Sequence, residues 1–149
     1  MALPETILNP IPGENPSGQN LRYAPVYDKI KEARREEVDL PQGGWSRELK
    51  LADSKVVIKL ATEALSTKTK DLQLAAWLTE GLLREEDFGG LKEGLDLLHA
   101  LVSTFWDTVY PEAEDGDVEL KVAPLSWVGT YLGEQVRKAE ITKSGFNFL

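Results

Sequence analysis

The sequence of 149 residues contains no cysteine and a single histidine. Disulfide bonds and thiolate metal sites are therefore excluded, and His99 alone cannot assemble the common zinc ligand sets. No apolar run approaches the roughly 18–20 residues that a membrane-spanning helix needs. The first residues, MALPETILNP, have neither a basic segment nor a long apolar one, so we expect no secretory signal and no membrane insertion.

Basic residues are also scarce, with 17 Lys and Arg against 25 Asp and Glu and a net charge of −8. Nucleic acids and anionic lipids are bound mainly through basic stripes, so neither is expected as the main partner. The densest basic stretch, KIKEARREE at 29–37, is interleaved with glutamates and is typical of a solvated helix face. The acidic stretch EAEDGDVE at 112–119 lacks the ligand spacing of an EF-hand. We therefore predict no metal and no cofactor.

Proline is nearly absent from the middle of the chain. Six of the eight prolines lie within residues 1–41, and the next one is Pro111. The intervening residues can form long helices, because proline inside a helix costs about 3 kcal/mol. We predict one domain over residues 1–149, with an extended strap over 1–23, a helical core over 24–138 and the start of a linker over 139–149.

Helical periodicity predicts an all-α fold, a compact bundle of about five helices. The predicted helices run from Pro25 to Glu37, from Asp53 or Ser54, from the capping residue Asp71, from Leu91 to Tyr110, and from about Leu125 to Lys138. Apolar residues three and four positions apart mark their buried faces. These faces are Val26, Ile30 and Ala33; Val56, Val57, Leu60, Ala61, Ala64 and Leu65; Leu74, Ala75, Leu78 and Leu82; and Leu91, Leu95, Leu98, Leu101, Phe105 and Val109.

The segment GENPSGQNLRY, residues 13–23, has the composition of a phosphate-binding loop. It matches neither GxGxxG nor GxxxxGK[ST], and no strand precedes it, so both phosphate-loop contexts fail. Asn-Pro and Ser-Gly are ordinary turn pairs and explain the composition without a ligand. We predict that this segment is a strap, with Leu21 and Tyr23 docked on the helices.

Signals of catalysis are weak. No carboxylate lies in an apolar stretch that would raise its pKa for acid–base work, and the serine signature GxSxG is absent. An enzyme acting on a small anionic substrate would need Arg34, Arg35 and Arg47 to converge on a pocket with buried carboxylates. We predict that the protein is not an enzyme and keep this alternative as the least favoured one.

Trp45 differs from the other tryptophans, because it follows Gly43-Gly44 in a polar connection. Two interpretations are open. Trp45 either plugs the loop onto the helices or serves as an aromatic anchor for a partner protein. Interfaces favour exposed aromatic and arginine anchors, so Arg35 and Trp45 are the candidate partner-binding residues.

Several long motifs in fixed order resemble those of a known family. They are NPIPGENPSGQNLRY, YDKIKEARREE, LPQGGWSRELKLAD, TKDLQLAAWLTEGLL and FWDTVYPE. Together they resemble the ImpA-type N-terminal domain, which begins the TssA proteins of bacterial type VI secretion systems. The resemblance extends from about Leu8 to Trp127 and into SGFNFL at the end of the chain.

The resemblance implies a cytoplasmic, non-enzymatic assembly factor that engages baseplate, sheath or tube proteins during tail assembly. It also implies that a longer protein forms a homo-oligomer through C-terminal regions beyond this chain. A generic helical adaptor unrelated to secretion remains an alternative. The contacted tail component is not specified by the sequence.

Overall fold

The computed structural model describes residues 2–37 and 49–138, and within these ranges the regular elements are helices. The predicted all-α class is confirmed. Four α-helices follow a short 3-10 helix at Glu5–Leu8, and they are α1 (Pro25–Arg34), α2 (Ser54–Thr67), α3 (Leu72–Phe105) and α4 (Glu119–Lys138). Five helices were predicted, and the difference arises because the expected third and fourth helices belong to one bent element.

The helix α1 begins where the sequence places it, with Pro25 in its first turn. Proline suits this position because its missing N–H would have no partner inside the helix. The helix ends at Arg34 rather than at Glu37, and Arg35 already has extended backbone angles. Tyr27, Ile30 and Ala33 form its buried face.

The helix α2 is capped by Asp53, whose carboxylate accepts a hydrogen bond of 3.2 Å from the Val56 amide. Such a cap satisfies one of the unpaired N–H groups of the first turn. The sequence left Asp53 and Ser54 as equal candidates. Ser54 is instead the first residue of the helix and is buried.

The helix α3 breaks at Asp87, which has φ 54° and ψ −134°. In a straight helix, residues 82 and 90 would be about 12 Å apart along the axis. A Cβ added at Gly90 would nevertheless lie 2.0 Å from the carbonyl oxygen of Leu82, and one at Gly94 would lie 2.4 Å from the Thr79 hydroxyl. The two halves of α3 therefore fold back on each other, and these glycines permit the close approach. The helix ends at Phe105, five residues before the predicted end at Tyr110.

The helix α4 begins at Glu119, earlier than the predicted start near Leu125, and Pro124 lies inside it. The prediction treated proline as a first-turn residue, which is its usual place. Here the chain extends the helix by one and a half turns before the proline. Pro124 cannot donate the backbone hydrogen bond that a helix position normally makes, but its side chain is buried and packs in the fold.

The core contains most of the predicted apolar faces. Its fully buried members include Ile30, Ala61, Leu65, Leu74, Ala75, Leu78, Leu82, Leu101 and Val109. Three predictions were wrong, because Val56, Leu95 and Tyr23 are exposed. Leu97 and Gly94 take the inward positions on the second half of α3, since the break at Asp87 sets the rotation of that half.

Candidate functional site

The segment around GENPSGQN is fastened to the helical core through its own backbone. The amide of Ser17 donates to the Asn15 side chain at 2.9 Å, and the amide of Gly18 donates to the Asn15 carbonyl at 2.9 Å. The amide of Gln19 donates to the Lys68 carbonyl at 3.0 Å. A phosphate cradle needs several free N–H groups that point at the ligand. These three are already bonded, so the strap interpretation holds here.

Side chains join the same segment to the end of α3. The hydroxyls of Ser17 and Thr108 are 2.7 Å apart, and the Tyr110 hydroxyl donates to the Gly18 carbonyl at 2.8 Å. Leu21 is buried against the core, as predicted. Tyr23 is 88% exposed and does not dock on the helices.

Lys70 is a buried junction of three chain segments. Its ammonium group donates to the carbonyls of Ile7 at 2.7 Å and Leu65 at 2.6 Å. Its amide donates to the Ser17 carbonyl, and its own carbonyl accepts from the Tyr110 amide. Burial lowers the pKa of the Lys70 ammonium to about 8. The contacts of this lysine are all internal, so it belongs to the scaffold.

Asp71 caps α3, as predicted, and anchors α1. Its carboxylate accepts from the amides of Gln73 at 2.7 Å and Leu74 at 3.4 Å, and from the Tyr27 hydroxyl. Burial raises the pKa of the Asp71 carboxyl, and burial together with Asp71 raises the pKa of the Tyr27 phenol. The sequence predicted no carboxylate in an apolar stretch that would raise its pKa, and the raised pKa of the Asp71 carboxyl contradicts the expectation that no carboxylate is perturbed in this way. Asp71 ends the polar sequence TKTKD, so its neighbours in the sequence do not indicate that it is buried. Residues of α1 and of the strap, which are distant in the sequence, complete its surroundings in the fold.

Glu80 is a second buried carboxylate that the sequence analysis did not anticipate. Its side chain is 3% exposed and pairs with Arg34 through bonds of 2.9 and 3.1 Å. Arg34 also lies over the rings of Trp77 and Trp127, at 5.8 and 5.3 Å. Arg84 approaches Glu80 at 3.9 Å and pairs with a surface glutamate. Arg34 thus connects α1, α3 and α4.

Arg35 points away from this network. Its side chain is 48% exposed and pairs with Glu32 through two bonds of 3.1 Å, and with Glu37 at 3.5 Å. The pairing with Glu32 raises the pKa of the Arg35 guanidinium and lowers that of the Glu32 carboxyl. Arg34 and Arg35 therefore serve different carboxylates and do not converge on one pocket.

Trp45 and Arg47 lie outside the described residues. The described residues on either side of them meet next to Arg35. The Glu37 amide donates to the Lys50 carbonyl at 3.0 Å, and the Lys50 ammonium donates to the Arg35 carbonyl at 2.7 Å. Glu37 and Lys50, which lie near the ends of the two described ranges, therefore meet beside Arg35.

The described part of the chain offers neither a metal-binding cluster nor a membrane-spanning helix. Residues 2–37 and 49–138 contain no group of three or more His, Asp or Glu side chains arranged to hold a metal ion. No helix within those ranges combines the length and apolar character needed to cross a membrane. His99, on the second half of α3, is exposed. Residues 112–120 are exposed as well, in keeping with a solvated acidic loop.

A groove runs between the end of the strap, α1 and the first turns of α4, and we call it the Arg22 groove. Its wider part has a volume of about 240 Å³, and its narrower part about 120 Å³. Four residues line both parts, namely Arg22, Tyr27, Pro111 and Leu120. Lys31 and Trp77 line the wider part, whereas Asp71, Glu112 and Glu114 line the narrower one. The groove is thus basic and aromatic at one end and acidic at the other.

Arg22 and the exposed Tyr23 stand together beside this groove. The Arg22 guanidinium carbon lies 5.5 Å from the centre of the Tyr23 ring. Arginine and tyrosine are the residue types that most often dominate binding energy at interfaces. This pair was not among the predicted binding residues, because Tyr23 was expected to dock on the helices with Leu21. The available signal was the Arg-Tyr pair directly before a proline-capped helix.

Comparison with known proteins gives a consistent result. The family described as "ImpA, N-terminal, type VI secretion system" matches residues 8–130. Among solved structures, the chain is similar to the N-terminal domain, including the conserved ImpA_N region, of the TssA component of the type VI secretion system from Burkholderia cenocepacia. That similarity has 35% sequence identity and a TM-score of 0.83. No curated protein matches the sequence.

The match to the Burkholderia protein covers 99% of this chain and 56% of that chain, so this chain spans little more than half of its relative's length. The family match covers most of the chain, from within the strap through α1, α2 and α3 into α4. The chain belongs to the ImpA N-terminal family of type VI secretion systems. The resemblance inferred from the sequence motifs is confirmed.

Proposed function

We propose that this domain is a non-enzymatic, cytoplasmic assembly component of a type VI secretion machine that binds a baseplate, sheath or tube protein. Membership in the ImpA N-terminal family over residues 8–130 is the observation that carries the proposal. The buried ionisable groups are consistent with it. Lys70, Asp71 and Glu80 each bond to groups of the protein itself, which gives them structural roles.

The proposed partner surface includes Arg35 and Trp45. Arg35 is exposed and its guanidinium plane is held by Glu32, so it can present its face to a partner without a large loss of side-chain freedom. Glu37 and Lys50, which flank the connection containing Trp45, are joined by a backbone hydrogen bond beside Arg35. We also propose that homo-oligomerisation depends on regions outside the ImpA N-terminal domain, since the match covers 56% of the Burkholderia chain.

The test is a binding experiment with the immobilised domain and separately purified sheath, tube and baseplate proteins. One of these components should bind saturably, and Trp45→Ala should weaken that binding by about 1–3 kcal/mol. Arg35→Ala should weaken it as well. Lys92→Ala is the matched control, because Lys92 is an exposed cation on α3 whose ion pair is also on the surface.

Thermal melting of the same variants separates the two roles of Trp45. An anchor leaves the melting temperature unchanged and weakens binding. A plug lowers the stability, because truncating a buried tryptophan costs about 3–5 kcal/mol, and leaves binding at low temperature intact. If none of the tail components binds the wild-type domain, a generic adaptor role replaces the proposal.

The enzyme alternative has its own test. A ligand that binds only the folded state raises the melting temperature by mass action. Nucleotides, zinc, calcium and magnesium should leave it unchanged. A saturable rise of several degrees with one of them at micromolar concentration would favour the enzyme alternative over the proposed function.

A further inference from the structure

We propose that the wider part of the Arg22 groove binds an acidic peptide segment of the partner, which inserts one apolar side chain between Trp77 and α4 and places carboxylates on Arg22 and Lys31. This inference rests on the proposed function, since it specifies the chemistry of the partner. It concerns a different surface from the one that carries Arg35 and Trp45.

The charges at the wider part of the groove support an anionic occupant. Arg22 and Lys31 lie on its border, and no carboxylate contributes to its lining. Within the described ranges, neither cation has a carboxylate at ion-pair distance, so both can pair with a carboxylate of a partner. Arg22 and Lys31 offer a partner carboxylate two positive charges, and Glu112 and Glu114 compete for Arg22 from the narrower part only.

The floor of the groove supports an apolar side chain. Trp77 and Tyr27 pack edge to face, with ring centres 5.3 Å apart, and give the floor a rigid shape. The opposite wall contains Leu120, Ala123 and Pro124 of α4, and Leu120 is among the exposed large apolar residues. The volume of about 240 Å³ falls below the roughly 300–1,000 Å³ of small-molecule sites. A groove of this size suits a side chain or two of a peptide better than a metabolite.

The narrower part of the groove determines where the acidic residues of the peptide lie. Glu112 and Glu114 line it, so it repels acidic residues and favours a neutral or basic one. The Asp71 carboxylate at its base is already bonded to Tyr27 and to two amides of α3. The acidic part of the peptide therefore lies at the Lys31 end, and its less acidic part lies towards Pro111.

Tyr23 contributes by positioning Arg22. The Arg22 guanidinium lies over the exposed Tyr23 ring in a cation–π contact at the protein surface. Arg22 also lies close enough to Tyr27 to counteract the rise in the pKa of its phenol. Arg22 therefore contacts Tyr23 while it lines both parts of the groove.

The first test uses two fluorescent peptides of equal length. The acidic probe is Glu-Asp-Glu-Leu-Gln-Asn-Gln, with its carboxylates on one side of the leucine only, and its amide counterpart is Gln-Asn-Gln-Leu-Gln-Asn-Gln. The acidic probe should bind saturably, shift the indole N–H resonance of Trp77, and lose affinity as salt is added. Equal binding of the two probes would overturn the proposal, and so would tighter binding to phosphatidylserine vesicles than to the acidic probe.

Charge-reversal variants then locate the site. Arg22→Glu and Lys31→Glu should each weaken binding of the acidic probe by about tenfold or more. Lys29→Glu is the matched control, because it makes the same charge change on α1 but lines a different depression, with Leu21 and Leu60. The affinity of Lys29→Glu for the acidic probe should stay within about twofold of the wild-type affinity. An equal loss in Lys29→Glu would mean that overall charge, and not the groove, determines binding. Arg22→Gln and Lys31→Gln replace any reversal variant whose helical spectrum or melting temperature is altered.

The same variants distinguish failure of this inference from failure of the proposed function. If a tail component binds Arg22→Glu and Lys31→Glu as well as it binds wild type, the groove is not its site and the proposed function stands. If the acidic probe binds the groove and none of the tail components binds the domain, the groove chemistry stands and the secretion role fails.

Discussion

The ammonium group of Lys70 lies inside the domain and donates a hydrogen bond of 2.7 Å to the backbone carbonyl of Ile7. Burial lowers the pKa of Lys70 from its ordinary value of 10.5 to about 8. Between these two values the unfolded chain holds a proton that the folded chain has released. The free energy of unfolding therefore rises with pH in this window.

We predict an increase of about 1–3 kcal/mol in the free energy of unfolding between pH 8 and pH 10, measured by urea denaturation. The increase should end near pH 10, because tyrosines of the unfolded chain ionise there while Tyr27 keeps its proton in the fold. Lys70→Met should abolish the increase. The same pH profile in Lys70→Met would assign the effect to another group.

Gly18 joins the strap to the turn between α2 and α3. We expect Gly18→Ala to lower the free energy of unfolding by about 2–4 kcal/mol, by thermal or chemical denaturation. Gly18 has a φ of +71°, and an added Cβ would lie 2.2 Å from the Lys68 carbonyl oxygen. Gly116→Ala is the matched control, because its φ of +78° is similar and its surroundings are open. Gly116→Ala should lower the free energy of unfolding by only about 1 kcal/mol. Equal losses of stability in the two variants would contradict the steric explanation.

Gly94 permits the close approach of the two halves of α3. Gly94→Ala should destabilise the domain by about 1–3 kcal/mol, since the new Cβ would meet the Thr79 side chain at 2.4 Å. Gly89→Ala, in the same helix but with open space around it, should be neutral or stabilising by up to about 1 kcal/mol. Chemical denaturation of both variants checks the prediction, which fails if Gly94→Ala is as stable as Gly89→Ala.

We predict that removing one partner of the Arg34–Glu80 ion pair destabilises the fold more than removing both. Arg34→Met leaves a carboxylate that is 3% exposed without its main partner, and we expect a loss of about 3–5 kcal/mol. The double variant Arg34→Met with Glu80→Leu should recover part of that loss, because no buried charge remains. Asp96→Asn, which breaks the exposed pair with Lys92, should leave the stability within experimental error. Failure of the double variant to recover any stability would contradict this account.

The sequence predicted most of the secondary structure because its signals are local. Pro25 marks the start of α1, and Asp53 and Asp71 cap α2 and α3 through their own side chains. Such signals depend on a few neighbouring residues and survive without knowledge of the fold. The end of α1 and the start of α4 were less well predicted. The backbone turns to extended angles at Arg35, and α4 accommodates Pro124 in its interior.

The candidate site was less predictable because its parts come from distant segments. Arg22, Trp77 and Pro124 line one groove but lie far apart in the chain. The exposure of Tyr23 depends on how the strap meets α1, which no local pattern specifies. Arg35 was correctly seen as a surface residue, yet its pairing with Glu32 and Glu37 was not foreseen. Its role in binding, like that of Trp45, stays a prediction.

The sequence by itself determined the all-α class, the principal helix caps and the family, because periodicity, capping chemistry and long motifs are written along the chain. Only the tertiary structure decided which polar residues are buried and which cations are left without partners. Lys70 and Asp71 stand among polar neighbours in the sequence, Glu80 lies within the apolar run LAAWLTEGLL, and contacts with distant segments bury all three. Burial and charge pairing depend on contacts between segments that are far apart in the chain, so their energies are set by the fold and cannot be inferred from any single stretch of residues.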